Sequence, residues 1–251
     1  MKADELLKVK DYLENKNIIK ITNEVTQMHL REQGKIFSLE EHIKGLIYSL
    51  MSAQTVWANI ERNKPKIDRI FFDYQPDRIL AMTPDYFVNE LGKIKCRSRL
   101  TNNQMKVLHY NIGVLQMIIR EYGSMDSFVT SRSAPEIAML ISDSNSKYKL
   151  KQVGLALACE YLRNVGIDCI KPDLHLKRIL GSDRLAISRN VEATFQEIYN
   201  EVKKLSIETG LKMGQIDYII WAYCATEQGE VCTANPSCGN CVIADACKKI
   251  V

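Results

Sequence analysis

No run of about 18 apolar residues occurs anywhere in the 251-residue chain, which excludes a membrane-spanning helix as a reading of it. The first twenty residues, MKADELLKVKDYLENKNIIK, are charged throughout and lack the apolar stretch before a small-residue cleavage site that a secretory leader carries. A cytoplasmic protein with no membrane partner is expected. Internal repeats and low-complexity tracts are also absent, and no segment joins β-branched richness to period-two alternation for long enough to argue a sheet. The expected fold class is therefore all-α. Charge of one sign is in little excess: 34 Lys and Arg against 30 Asp and Glu give a net charge of +4, compatible with nucleic acid but too mild to imply it. At 28.7 kDa the chain can bury roughly 70% of its extended surface, enough for one large core or two modest domains.

What is present is helical spacing. Ala3 to Glu14 reads as a charged amphipathic helix and Ile18 to Arg31 as a second. Ser38 followed three residues later by Glu41 is a capping box that opens a helix carrying Ile43, Leu46, Ile47 and Leu50. That helix runs into a polar cluster, Ser49-Leu50-Met51-Ser52-Ala53-Gln54-Thr55, and residues Asn59 to Asp68 read as a polar joint. Short helices follow at Ile67 to Tyr74, Pro76 to Met82 and Pro84 to Leu91. Thr101 to Tyr122 has apolar residues at helical spacing (Met105, Leu108, Ile112, Leu115, Ile118, Ile119), with Gly123 to end it. Ser124 to Ser127 reads as a turn, Ala134 to Ile141 as a helix, Ser142 to Ser146 as a loop. Later helices are expected at about Val191 to Ser206 and at Met213 to Cys224.

The stretch from Lys149 to Arg178 organises the rest. A short turn, Lys151-Gln152-Val153-Gly154, precedes an apolar helical run from Leu155 to Leu162, so backbone amides at the turn and the helix start could face an anion. Farther on, Pro172 and Asp173 open another helix. A proline there gives up no needed amide, and an aspartate can accept orphan amides. A helix cap is thus one reading of Asp173, and a reactive carboxylate the other.

Cys232, Cys238, Cys241 and Cys247 form C-x5-C-x2-C-x5-C within sixteen residues, while Cys96, Cys159, Cys169 and Cys224 stand singly as small buried hydrophobes would. Four close thiols in a cytoplasmic protein favour a metal over disulfides. Tetrahedral zinc and a [4Fe-4S] cluster both suit four thiolates, and spacing alone does not separate them.

The cysteine loop CTANPSCGNCVIADAC, the turn, helix and aspartate of the Lys149 to Arg178 stretch, and Leu50-Met51-Ser52-Ala53-Gln54-Thr55 occur in an order that resembles the helix-hairpin-helix DNA glycosylase superfamily, in its endonuclease III-like iron-sulfur branch. The resemblance covers roughly Ser38 to Cys247. It implies a six-helix barrel over residues 35–168 and a discontinuous second domain from residues 1–34 and 169–251 that bears a [4Fe-4S] cluster on the four cysteines. It further implies a monomer acting on double-stranded DNA in the nucleoid, with the damaged base flipped into a cleft between the domains. Asp173 matches the family's catalytic aspartate and Gln54 the glutamine that probes the space vacated in the duplex. Met51 and Trp57 read as core. The DNA-facing set expected from the resemblance is Gln54, Lys151, Gln152, Val153, Gly154, Ala156, Lys171 and His175, the last at a position family members use to support the local fold.

Departures from the family pattern shape the expected activity. Bifunctional members have a lysine two residues after the last hairpin glycine, where it attacks the sugar as a Schiff-base nucleophile. Here that residue is Ala156, so a monofunctional glycosylase without AP lyase activity is expected. The adenine-removing branch carries a glutamate where this chain has Ser49. The usual hairpin reads LPGVG, and Leu150-Lys151-Gln152-Val153-Gly154 puts Gln152 at the first glycine, at a cost of about 1 kcal/mol if that position needs positive φ. Five uncharged residues separate the first two cysteines where relatives have six with basic side chains, leaving phosphate contacts to Lys151, Lys171, Lys177 and Arg178. Excision of an altered purine, alkylated or oxidised, is expected, with methylated purines first by exclusion. A DNA-binding protein without excision chemistry, in which Asp173 is only a cap, is the alternative.

Overall fold

A computed structural model describes residues 1–18, 23–226 and 228–248. Among them every regular element is helical. In chain order these are α1 (Ala3–Asn15), α2 (Asn23–Glu32), α3 (Leu39–Met51), α4 (Trp57–Ile70), α5 (Pro76–Leu80), α6 (Pro84–Lys93), α7 (Thr101–Lys106), α8 (Leu108–Tyr122), α9 (Met125–Val129), α10 (Ala134–Ser142), α11 (Leu155–Asn164), α12 (Leu174–Ile179), α13 (Phe195–Thr209) and α14 (Met213–Cys224), with 3₁₀ turns at Phe72–Tyr74, Cys238–Asn240 and Ala244–Ala246. None of the described helices is long and apolar enough to cross a membrane. The chain divides into two compact units, Met1–Thr26 with Asp168–Val251, and Gln27–Ile167, so that the first division falls inside α2.

Within Gln27–Ile167, α3 is the central helix, packed against α11, which in turn packs against α10. Its start is the expected capping box: the Glu41 amide donates to Ser38 Oγ at 3.3 Å and the Ser38 amide to Glu41 Oε2 at 2.9 Å. Ile43, Leu46, Ile47 and Leu50 are fully buried. A buried polar knot closes this unit. Asp126, at the start of α9, accepts Arg31 Nη2 at 2.7 Å and Nη1 at 3.1 Å, His42 Nε2 at 3.1 Å and the Phe37 amide at 3.1 Å. Arg31 also donates to the Val165 carbonyl at the end of α11.

Met1–Thr26 with Asp168–Val251 is a second helical packing. Leu6, Val9 and Leu13 of α1 meet Ile198, Val202 and Leu205 of α13 and Ile216, Ile220 and Tyr223 of α14 in one core. Two aspartates hold the segment before α12 onto α14. Asp168 accepts the Met213 and Gly214 amides at 3.2 and 2.8 Å, and Asp217 accepts the Lys171 amide at 3.1 Å.

Several local expectations are corrected. Residues Asn59 to Asp68 are not a joint but the body of α4, which keeps Pro65 inside it and buries Ile60, Ile67 and Ile70 on one face. The single helix expected over Thr101 to Tyr122 breaks at Val107 into α7 and α8, and Gly123 ends α8 at φ 82°. Ser124 to Ser127 is the start of α9, with Ser124 accepting the Ser127 amide. Of the helix expected from Ile18 to Arg31, Asn23–Glu32 is helical and residues 19–22 lie outside the described residues. The helix expected from Val191 begins only at Phe195, behind a capping box from Thr194 and Glu197.

Candidate functional site

The hairpin turn lies on Gln27–Ile167 and is built on α8. Asn111, fully buried, brackets it: Oδ1 accepts the Lys151 amide at 2.7 Å and Nδ2 donates to the Lys151 carbonyl at 3.0 Å. Val153 is buried and its amide donates to Leu150 O at 3.2 Å. Lys149 reaches under the turn, giving Nζ to the Ser142 and Val153 carbonyls at 2.5 and 2.7 Å, and burial pushes its ammonium pKa down. The Lys151 ammonium sits 4.0 Å above the Tyr110 ring. Gly154 caps α11 without a side-chain hydrogen bond, which leaves the first-turn amides of Leu155 and Ala156 without a side-chain partner, the arrangement that accepts an anion.

Gln152 is exposed and holds φ at 62°, the left-handed region expected for the missing glycine. Gln152→Gly is expected to stabilise the protein by about 0.5–1 kcal/mol, the relief of left-handed strain exceeding the added freedom of the unfolded chain. Urea unfolding with the slope held common to both proteins measures it. A loss of stability would mean that the glutamine side chain contributes more than its backbone costs.

Gln54 stands exposed in the loop after α3, also at positive φ, 60°. Its Oε1 accepts the Nε of Arg99, so the loop carrying Gln54 and the loop before α7 are tied to each other. Met51 is buried in α3, whereas Trp57 is half-buried at the start of α4 under Lys64. Ser49 is fully buried and donates to the Leu157 carbonyl at 2.6 Å, a packing contact between α3 and α11. Ala156, the residue before Leu157, is half-buried.

Asp173 belongs to the other unit. It is the N-cap of α12, and its Oδ1 accepts the His175 and Leu176 amides at 2.9 and 3.2 Å. No hydrogen bond from the described residues reaches Oδ2. His175 is half-buried, and Arg178 Nη2 donates to its Nδ1 at 3.2 Å, which places the imidazole proton on Nε2. Burial holds the His175 pKa down, with Arg178 and Lys171 acting in the same sense and the Asp173 carboxylate against them. Lys171 is half-buried beside them. The same Arg178 Nη2 lies 3.2 Å from the Cys232 carbonyl, so α12 is joined to the cysteine loop.

All four clustered cysteines line one cavity, with Arg184 and Pro236, and none is in a disulfide. Among the described residues no three His, Cys, Asp or Glu side chains are grouped so as to hold a metal ion. The rim is polarised. Tyr223 gives its hydroxyl to Cys241 Sγ at 3.4 Å and accepts the Val242 amide at 3.0 Å. A hydrogen bond from the Cys224 thiol, opposed by burial and helped by the guanidinium groups of Arg184 and Arg178, brings the Cys232 thiol down to about 7. Soft sulfur donors backed by two arginines fit a thiolate-bound metal group with net negative charge.

Sequence reasoning missed Arg99, Asn111, Lys149, Arg184 and the pairing of Cys224 with Cys232. Asn111 carried a signal, as a polar residue on the buried face of α8 beside Leu108, Ile112 and Leu115. The Arg99 and Arg184 contacts join residues 45 and 49 positions apart and carried none, and the local contacts of Lys149 and of Cys224 with Cys232 had no motif to mark them.

No protein-family model matches the chain. It is 33% identical over 95 residues to the 8-oxoguanine DNA glycosylase/AP lyase of Aquifex aeolicus (strain VF5), a match spanning 36% of this chain and 41% of that protein's length. The crystal structure of Methanocaldococcus jannaschii 8-oxoguanine glycosylase/lyase in complex with 15mer DNA containing 8-oxoguanine superposes with a TM-score of 0.56 at 18% identity, covering 85% of this chain and 94% of that one.

Proposed function

We propose that this chain, whose fold is that of the helix-hairpin-helix DNA glycosylases, excises an oxidised purine from duplex DNA by hydrolysis of the N-glycosidic bond and leaves the strand intact. Both similar proteins are named for 8-oxoguanine, which favours an oxidised guanine over the methylated purines that exclusion alone put first.

The observation that carries the reading is the half-used carboxylate of Asp173. Its Oδ1 is fixed by two amides at the start of α12, so the group cannot swing away, and Oδ2 remains for chemistry. As the base departs with the bonding electron pair and takes up a proton, positive charge develops on the sugar. A fixed anion facing C1′ stabilises that charge and orients the water that adds there, giving an abasic site. The amides opening α11, with Lys151, meet a backbone phosphate, which positions the duplex without reading its sequence. Gln54, held out at positive φ and tied to Arg99, fills the gap left by the extruded nucleotide. Cys232, Cys238, Cys241 and Cys247, which line one cavity, would hold a [4Fe-4S] cluster through their thiolates. Ligation of such a group by the four thiolates would supply folding free energy to the tail.

Both similar proteins carry lyase in their names, and this chain has Ala156 where a Schiff-base lysine is needed. Of the two lysines at the turn, Lys149 gives its amine to two carbonyls, and Lys151, over the Tyr110 ring, is assigned to phosphate. Single-turnover incubation with duplexes bearing 8-oxoguanine, a methylated purine or no lesion tests the proposal. Abasic product from the 8-oxoguanine duplex, cleaved only after alkali, is expected, with little covalent complex trapped by borohydride. No base release from any duplex would leave the DNA-binding alternative standing. Borohydride trapping mapped to Lys149 or Lys151 would overturn the monofunctional assignment.

A further inference from the structure

We infer that Arg184 is the charge partner of the iron–sulfur group and sets its reduction potential, an inference that rests on the cluster reading above. Arg184 is 4% exposed. Its Nη2 lies 3.4 Å from the Thr233 carbonyl, while Nε and Nη1 are buried with no hydrogen-bond partner among the described residues. No carboxylate among the described residues forms an ion pair with it. A guanidinium is charged at every physiological pH, and burying one with idle donors is strongly unfavourable unless an anion faces it.

The cavity supplies that anion. Arg184 lines it together with Cys232, Cys238, Cys241 and Cys247. Four thiolates on a doubly charged cluster core leave a net dianion, and the two idle N–H groups are the donors its sulfur atoms would use. The arginine is fixed against the loop through its own backbone as well, its carbonyl accepting the Lys248 amide at 2.8 Å, next to Cys247. Arg178 is the lesser candidate: its Nη2 is engaged by His175 and the Cys232 carbonyl, and it does not line the cavity.

Hydrogen bonds to cluster sulfurs and nearby positive charge favour the electron-rich state and raise the potential. In anaerobically purified full-length protein, Arg184→Gln is expected to load iron and sulfide as wild type does, to show a more negative midpoint by protein-film voltammetry, and to lose its visible absorbance to ferricyanide at least about 10-fold faster, the effect of one charge-assisted hydrogen bond. Arg184→Lys, which keeps the charge but loses the planar fork, is expected to fall between the two. An unchanged midpoint and bleaching rate in loaded Arg184→Gln would overturn the assignment and leave the cluster reading standing. Absence of iron and sulfide from wild type would overturn both. If Arg184→Gln does not accumulate as soluble protein, Arg184→Lys carries the test, and a midpoint identical to wild type would overturn the assignment.

Discussion

Asp173→Asn is expected to lower the single-turnover excision rate at least about 10²-fold, equivalent to roughly 3 kcal/mol of transition-state stabilisation, with lesion-duplex binding held within about twofold. The substitution separates the two duties of the residue. Asparagine caps a helix about as well as aspartate, and its Oδ1 can accept the same His175 and Leu176 amides, so α12 keeps its start. Only the negative charge and the second oxygen are lost. If Asp173 were a cap and nothing more, excision would be near normal. Quenched-flow excision on the 8-oxoguanine duplex, a binding titration at fixed salt and far-ultraviolet circular dichroism together decide it. A variant that binds, folds and excises at the wild-type rate would remove Asp173 from the chemistry.

The largest expected loss of stability follows from Asp126→Ala, about 3–5 kcal/mol, because it leaves the half-buried Arg31 and the buried His42 beside a missing carboxylate and strips the Phe37 amide of its acceptor. The same knot makes the protein acid-labile. Burial works to raise the Asp126 carboxyl, but hydrogen bonds from His42, Arg31 and Phe37 outweigh it and hold it at about 2. Its contribution is therefore complete above the unfolded value near 3.9 and is lost as pH falls from there toward the folded value. His42 adds an earlier phase. Burial depresses its pKa, so below about 6.5 the unfolded chain takes up a proton that the folded one refuses, and stability declines from that point downward. Urea titrations between pH 7 and 2.5 should show both phases in wild type and a flatter limb below pH 4 in Asp126→Ala. Equal slopes below pH 4 in the two proteins would exclude Asp126 as the source.

Legibility in the sequence followed the range over which the physics acts. The Ser38 and Glu41 capping box and the helix Met213–Cys224 are set by neighbours within one or two turns, and both stand where spacing puts them. The Asp173 cap was equally local. Helix α4 was hidden by Asn59, Asn63, Lys64 and Pro65, a polar run whose propensity is overridden because Ile60, Ile67 and Ile70 fall on one buried face. The Val107 break within a continuous apolar pattern had no propensity signal at all. What lies beyond local spacing was not legible: Arg31 finds Asp126 across 95 residues, and Arg99 finds Gln54 across 45. The candidate site shows the same division. The four cysteines could be picked out by type and spacing, Asp173 and Gln54 by the resemblance, and Asn111 as a polar residue on a buried helix face, while Lys149, which holds the turn, and Arg184, which faces the cysteine cavity, are recognised only by what they touch.

Helix α14 is twelve residues long and is gripped at three heights: Asp168 takes the amides of its first turn, Asp217 in its middle takes the Lys171 amide, and Tyr223 and Cys224 at its end meet Cys241 and Cys232. A single residue gained or lost inside it would rotate everything downstream by about 100° and shift it by about 1.5 Å. Tyr223 and Cys224 would then turn away from the cysteine cavity while the first turn stayed bound to Asp168. Over generations this helix can exchange side chains but cannot change length, so gaps in an alignment of this lineage should fall on either side of Met213–Cys224 and never within it.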